Sequence, residues 1–253
     1  MGAFEAHSPE DKLLLARVED GFRLAEKRYT PQFIGFLDER QAHLCQEALQ
    51  WRGEENWCVW GGFEEAQRVM LGIFPGAPER EDFPFTAVTF LFRKEDKLTH
   101  RDFLGSLMAL GIQRETLGDI LVEEGRCVLF AQNEIADYIL SQCQKIGRTG
   151  VRVAPGAQEP YPVGMGKQEI RAVVASERVD CVVGALTKCS RSQSLELIRA
   201  ELVTHNYAVV RSASQEVRGG DIISVRGKGK FRVLALEDQT KIGRLVLQAE
   251  KYI

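Results

Sequence analysis

The chain has 253 residues, of which 44% are hydrophobic and 27% charged, and its formal net charge is −3. This composition is typical of a folded globular protein, and the length allows one large domain or two to three small ones. The apolar runs are far shorter than the roughly 20 residues that a membrane-spanning helix needs. The N-terminus also lacks the basic-then-apolar pattern of a signal peptide. We therefore expect a cytoplasmic protein with no membrane partner.

The six cysteines show neither Cys-x-x-Cys spacing nor a histidine at ligand distance in the sequence. Three of them, Cys58, Cys127 and Cys181, lie inside apolar runs, which favours small buried thiols. We expect no disulfide, no metal site and no cofactor.

Residues 1–56 are predicted to be helical. Ser8 and Pro9 form a capped helix start, and apolar residues recur on one face after them. Thr30 and Pro31 repeat the device, and we interpret the apolar residues that follow as a second helix. The prediction is an N-terminal helical hairpin of two helices with about 20 residues each.

Residues 57–172 are predicted to hold an α/β domain followed by a linker rich in proline and glycine. Short β-prone runs alternate with two helices, the first capped by Thr99 and the second by Asn133. The order strand, helix, strand, strand, helix, strand is typical of a ferredoxin-like or RRM-like sandwich. The aromatic motif by which RRM sheets stack RNA bases is missing, so RNA binding and a scaffold role both stay open here.

The polar residues His100, Asp102 and Asp119 are of types that carry acid–base chemistry. Asp102 follows Thr99 by three residues, which predicts a capping role, and Asp119 follows a glycine, which predicts a turn. His100 and Asp102 are two residues apart at a helix start, so their side chains point to different sides. We therefore expect no catalytic residue and predict that the protein is not an enzyme.

Residues 173–253 are predicted to form a third domain, which begins with two helices. An amphipathic helix over 178–188 is followed by Ser190 and Ser192, either of which can cap the next helix. The free N–H groups and the positive dipole end of a helix start favour phosphate. The cations that flank this start are Lys188 and Arg191.

The second half of this domain is predicted to be a sheet. β-prone runs lie on both sides of a turn at Asn206, and a Gly219-Gly220-Asp221 turn precedes a further strand. The strand leads into Arg226-Gly227-Lys228-Gly229-Lys230, where glycines allow close approach to a phosphate and the cations attract it. The spacing is not that of a nucleotide-binding P-loop. A hairpin through residues 238–240 extends the sheet.

The charge distribution is uneven along the chain. From Lys188 to Arg232 there are nine basic and four acidic residues, which gives +5 and leaves −8 for the rest of the chain. A basic module on an acidic protein indicates a polyanionic partner. The alternative is an ordinary solvated charged face.

This stretch closely resembles the αL-type RNA-binding domain named after small-subunit ribosomal protein S-four. The residues that carry the resemblance are Ser190-Arg191-Ser192, Leu197-Ile198, Val203, Asn206, Gly220-Asp221-Ile222-Ile223 and Val225. The chain as a whole is similar to YlmH-like proteins, through the run 224–230 and the run Leu-Thr-His-Arg-Asp-Phe-Leu-Gly at 98–105. Where many such domains have lysine or arginine, this sequence has Thr204 and His205.

The resemblance implies a non-enzymatic protein that binds structured RNA, either ribosomal RNA or tRNA. It further implies association with the large ribosomal subunit in rescue of stalled translation, and a link to cell division. We expect phosphate contacts from three groups of residues. They are the second helix with Lys188, Ser190, Arg191, Ser192 and Arg199, the turn at Asn206, and the loop Arg226, Gly227, Lys228, Gly229 and Lys230.

Two other functions stay open. The same RNA-binding domain occurs in pseudouridine synthases and methyltransferases, but the sequence shows neither a pseudouridylation motif nor a glycine-rich methyl-donor loop. An adaptor for division proteins, docked through the acidic N-terminal two-thirds, is compatible with RNA binding. The predicted class is α+β, with domains over 1–56, 57–172 and 173–253.

Overall fold

The computed structural model describes residues 8–162, 166–238 and 244–252, and the chain forms two compact units, Met1–Gly164 and Met165–Ile253. Across those three ranges, no helix is long and apolar enough to cross a lipid bilayer. Both units combine helices with antiparallel sheets, which confirms the predicted α+β class. The division into three domains stays a prediction.

The N-terminal unit begins with two helices and a three-stranded antiparallel sheet of order β1-β3-β2. The elements are α1 (Pro9–Arg28), β1 (Gln32–Leu37), α2 (Glu39–Arg52), β2 (Trp57–Trp60) and β3 (Val69–Ile73). Buried side chains of both helices, among them Val18 and Leu49, pack against Leu71 and Ile73 on one face of this sheet.

The predicted N-terminal helical hairpin is wrong in its second half. Helix α1 begins as predicted, but residues 32–37 form a strand, and α2 starts only after Asp38, whose carboxylate forms a capping box with Gln41. Tertiary pairing overrides the local helical pattern, because β1 pairs with β3 in the register Gln32↔Ile73. Gly35 lies within this strand, where an added Cβ would sit 2.8 Å from a backbone carbonyl oxygen.

The second part of the N-terminal unit is a four-stranded antiparallel sheet of order β5-β6-β4-β9 with two helices. The elements are β4 (Phe85–Leu91), α3 (His100–Ala109), β5 (Leu117–Glu123), β6 (Arg126–Gln132), α4 (Asn133–Gln142), the small hairpin β7 (Lys145–Ile146) and β8 (Thr149–Gly150), and β9 (Arg152–Pro155). Single 3-10 turns lie at Arg80–Asp82 and Arg114–Thr116. The order strand, helix, strand, strand, helix, strand appears in β4, α3, β5, β6, α4 and β9.

The two sheets of this unit pack face to face through an aromatic layer. Phe36 and Met70 of the first sheet meet Val128 and Phe130 of the second, all at most 3% exposed. The opposite face of the second sheet packs on α3 and α4 through residues such as Phe103. The layers are therefore helices, sheet, sheet, helices, and both faces of each sheet are covered.

The C-terminal unit consists of two short helices and a six-stranded antiparallel sheet of order β10-β15-β14-β13-β11-β12. The elements are β10 (Lys167–Val174), α5 (Val179–Thr187), α6 (Arg191–Arg199), β11 (Val203–His205), β12 (Ala208–Val209), β13 (Ile222–Val225), β14 (Gly229–Asp238) and β15 (Leu245–Tyr252). The helices and strands predicted from residue 178 onward are confirmed within a few residues. The predicted turn at 238–240 lies largely outside the described residues.

The core of the C-terminal unit lies on one side of its sheet. Val182 and Leu186 of α5 and Ile198 of α6 pack against Ile223 and Phe231. Side chains on the other side of the sheet stay open to solvent, as Leu234, 45% exposed, illustrates. Among the described residues of this unit, no helix packs on that side.

Candidate nucleic-acid interface

The turn from α5 to α6 carries four of the predicted RNA-binding residues. Lys188 ends α5 with a left-handed backbone (φ 54°) and an exposed side chain. Ser190 is the N-cap of α6, where its Oγ accepts the Gln193 N–H at 3.3 Å and Gln193 Oε1 accepts the Ser190 N–H at 2.9 Å. The Ser192 Oγ lies 2.9 Å from the Ser190 Oγ. The capping box therefore fixes an exposed helix start with Lys188 and Arg191 on either side of the cap.

Arg191 is held in place by a buried carboxylate. Asp180 is fully buried and accepts Arg178 Nε at 3.0 Å and Arg191 Nε at 3.3 Å. Burial alone would raise the pKa of Asp180, but the bonds and charges of both arginines hold it below its ordinary value. The Arg191 side chain is nevertheless 69% exposed. Asp180 thus orients a guanidinium whose outer N–H groups point to solvent.

Arg199 lies at the other end of α6. Eight residues of helix separate it from Arg191, a rise of about 12 Å. The chain then reaches Leu202, whose carbonyl oxygen accepts the Arg226 N–H at 2.9 Å. The structure therefore groups Arg199 with the glycine loop and not with Lys188 and Arg191.

The glycine loop is a tight turn between β13 and β14. Val225 pairs with Gly229, and the Lys228 N–H donates to the Val225 carbonyl oxygen at 2.9 Å. Gly227 (φ 77°) and Gly229 (φ 128°) adopt positive backbone angles, and a Cβ at Gly229 would lie 2.8 Å from Lys251 Cε. The exposed side chains at the tip are those of Arg226 and Lys228. The glycines thus place two cations and open backbone at one corner of the sheet.

Lys230, just after the loop, lies on the side of the sheet away from the core. Its Nζ is 5.3 Å from the ring centroid of Tyr207 and 5.2 Å from that of Tyr252. Both distances are within the range of a cation–π contact. Lys230 is therefore less available to a phosphate than Arg226 or Lys228.

Asn206 has a structural role in the turn that it was predicted to shape. Its side-chain N–H donates to Asp221 Oδ1 at 2.8 Å, and its Oδ1 accepts the Ile222 N–H at 2.9 Å. Asp221 also contacts the buried His205 ring at 2.7 Å and accepts the Arg218 N–H. Burial would raise the pKa of Asp221, but these partners lower it. The sequence indicated both turns but not their contact, because Asn206 and Asp221 are separated by 15 residues.

The residues considered for catalysis in the N-terminal unit have structural partners. Asp102 Oδ2 accepts the Thr99 N–H at 2.8 Å, which confirms the capping box. Asp119 accepts the backbone N–H groups of Gln67 at 2.7 Å and Arg68 at 3.2 Å, and burial raises its pKa. Within the described ranges, no group of three or more His, Cys, Asp or Glu residues is arranged to hold a metal ion.

The comparisons with known proteins agree on one family. A family model described as "Putative RNA-binding domain in YlmH" matches residues 78–159. A Bacillus subtilis (strain 168) protein named "Ribosome-associated protein quality control protein P2" is 30% identical over 225 residues, which cover 87% of this chain and 86% of that protein. A solved structure, "Cell division protein ylmH from Streptococcus pneumoniae", is 26% identical and has a TM-score of 0.51, covering 62% of this chain and 96% of that one. This chain belongs to the YlmH family.

Proposed function

We propose that this protein is a non-enzymatic, cytoplasmic RNA-binding factor of ribosome-associated quality control. Its partner is structured RNA, either ribosomal RNA or tRNA, on the large ribosomal subunit. The relative from Bacillus subtilis, aligned over most of both chains, bears the name of such a factor.

The observation that carries the proposal is the pair of cationic corners at the two ends of α6. One corner holds Lys188 and Arg191, and the other holds Arg199 with Arg226 and Lys228. Residues 165–253 contain fifteen basic and ten acidic residues, so this unit is +5 while residues 1–164 are −8. Two separate cationic corners on a basic unit suit folded RNA, which proteins recognise mostly through shape and phosphates.

We also propose the finer fold assignment. The strand order β5-β6-β4-β9 with helices on one face corresponds to a ferredoxin-like or RRM-like sandwich. The turn, capped helix and glycine loop of the C-terminal unit correspond to an S-four-type domain. The three-domain division at residues 56 and 172 belongs to this proposal.

The test is filter binding of the full chain to purified large ribosomal subunits and to tRNA across a salt series. Arg191→Ala combined with Lys228→Ala removes one cation from each corner. Arg178 still pairs with Asp180 in this variant, so the fold is retained. Each lost phosphate contact flattens the log–log salt slope by about 0.7–0.9, so we expect a loss of about 1.4–1.8.

The matched control is Lys12→Ala combined with Lys27→Ala, which removes the same charge from the exposed surface of α1. We expect the control to leave the slope unchanged. Equal slopes for the wild type and the double variant of the C-terminal unit would show that its basic residues are only a solvated face.

A second candidate function is an adaptor for cell-division proteins. It is favoured by the name of the similar structure from Streptococcus pneumoniae and by the acidic character of residues 1–164. Localisation of the Arg191→Ala, Lys228→Ala protein in cells separates the two. Retained localisation at the division site without RNA binding favours the adaptor, and diffuse protein favours the RNA-binding function alone.

A further inference from the structure

One surface of the N-terminal unit is basic although the unit as a whole is acidic. Residues 93–101 and 145–152 together hold seven of the eighteen basic residues of the unit and only two acidic ones. We call the exposed cations of these two segments the edge patch. They are Arg93, Lys94, Lys97, Arg101, Lys145, Arg148 and Arg152.

The fold brings the two segments together. Leu91, at the end of β4 just before the first segment, pairs with Arg152 of the edge strand β9. The Gly147 N–H, at the tip of the β7–β8 hairpin, donates to Ser106 Oγ of α3 at 2.9 Å. The hairpin therefore lies against the helix that follows the first segment, at the edge of the second sheet.

The cations of the edge patch are mostly not neutralised within the protein. Arg93 pairs with Asp96 at 3.0 Å. Within the described part of the chain, Lys97, Arg101, Lys145, Arg148 and Arg152 form no ion pair. Segment 145–152 contains no acidic residue at all. Unpaired, exposed cations in a unit of charge −8 indicate a surface that meets an anionic partner.

The same region cannot bind RNA through the face of its sheet. Bases would have to stack on aromatic residues such as Phe130, but Phe130 is 3% exposed and packs against Phe63, Phe85 and Tyr161. The first sheet closes this face from above through Phe36 and Met70. Contact of residues 78–159 with RNA must therefore use another surface and cannot read bases by stacking there.

We propose that the edge patch is the surface through which residues 78–159 contact RNA, and that it binds the phosphodiester backbone. This inference rests on the proposed RNA-binding function and deepens it. The β7–β8 hairpin presents Lys145 and Arg148, Arg152 continues the row on β9, and Arg101 adds to it from α3. The contact depends on charge and shape and is independent of base sequence.

The experiment uses the full chain with Lys145→Ala, Arg148→Ala and Arg152→Ala combined, and tRNA as the probe in a filter-binding salt series. Three lost phosphate contacts flatten the slope by about 2.1–2.7. The matched control, Lys12→Ala, Lys27→Ala and Arg28→Ala, removes the same charge from α1 and leaves the slope unchanged. Fluorescence of Trp51, Trp57 and Trp60, all in the N-terminal unit, verifies that both triple variants stay folded.

Each outcome separates this inference from the proposed function. If the edge-patch variant keeps the wild-type slope while the Arg191→Ala, Lys228→Ala protein loses it, the edge patch does not bind RNA and the C-terminal contact stands. If only the edge-patch variant loses slope, the C-terminal assignment fails and the edge patch stands. An equal loss in the α1 control would reduce the effect to net charge and overturn the inference, as would unchanged tRNA binding with lost binding to an acidic protein.

Discussion

The sheets of the two units show opposite solutions to the same problem. In the N-terminal unit, β5-β6-β4-β9 is covered on one face by α3 and α4 and on the other by the sheet β1-β3-β2. In the C-terminal unit, helices cover one face of the six-stranded sheet, and the other carries Lys230 and exposed side chains such as Leu234. A closed sheet leaves only its edges and loops for a partner, whereas a half-open one also offers a face.

This difference teaches that the type of fold does not decide how a domain meets RNA. The arrangement that suggests base stacking is used here as a packing surface, since Phe130 and Phe36 fill an aromatic core. The cations that reach solvent sit at the margins of both sheets. RNA contact in both units is therefore expected to run through phosphates at corners and edges.

The largest expected effect comes from Phe130→Ala, which removes a ring from the layer between the two sheets. A buried phenylalanine truncated to alanine costs about 3–5 kcal/mol of the free energy of unfolding. Guanidinium unfolding followed by tryptophan fluorescence reports it, because all three tryptophans lie in the N-terminal unit. Tyr138→Ala, at a residue 42% exposed, is the control with little expected change. A stable Phe130→Ala protein with altered RNA affinity would mean that the sheet face is open after all.

A smaller effect is expected at the glycine loop of the C-terminal unit. Gly229→Ala forces an L-residue to φ 128° and places a Cβ 2.8 Å from Lys251 Cε, which costs about 1–3 kcal/mol. Gly227→Asn keeps a left-handed angle that asparagine tolerates, with no atom within 4 Å of the new Cβ. Thermal unfolding by circular dichroism, together with tRNA binding, compares the two. Equal losses in both variants would contradict the assigned turn geometry.

The smallest effect is a difference in the acid response of the two units. The pKa of Asp180 is lowered in the folded protein, so its contribution to stability is present near neutral pH and disappears as pH falls below about 4. The pKa of Asp119 is raised by burial, so the cost of its charge is present near neutral pH and is relieved as pH falls through that raised pKa.

The measurement is the free energy of unfolding between pH 3 and pH 7, by urea titration. Relative to the wild type, Asp180→Asn is expected to flatten the loss of stability on acidification, and Asp119→Asn to steepen it. Parallel profiles for the wild type and both variants would show that neither carboxylate has the assigned environment.

Much of the C-terminal unit was predictable because its signals are local. Ser190 caps α6 three residues before Gln193, and the glycines of 227–229 encode a turn whatever surrounds them. The pairing of Arg191 with Asp180 was not predictable, since the carboxylate lies on the preceding helix. The contact of Asn206 with Asp221 was missed for the same reason.

The N-terminal unit was less predictable because its decisive interactions are distant in sequence. Residues 32–37 have a pattern that fits helix or strand, and pairing with β3, more than 30 residues later, made them a strand. Burial of the aromatic face depends on that strand, because Phe36 belongs to it. The edge patch likewise required Gly147 to dock on α3.

The sequence by itself determined the helix caps, the turns, the uneven charge and the resemblance to a family, because each depends on residues close together in the chain. Only the tertiary structure decided which sheet face is closed, which arginines are anchored and which cations share a surface. These depend on pairings between distant segments, whose free energy comes from buried area and contacts that no local pattern encodes.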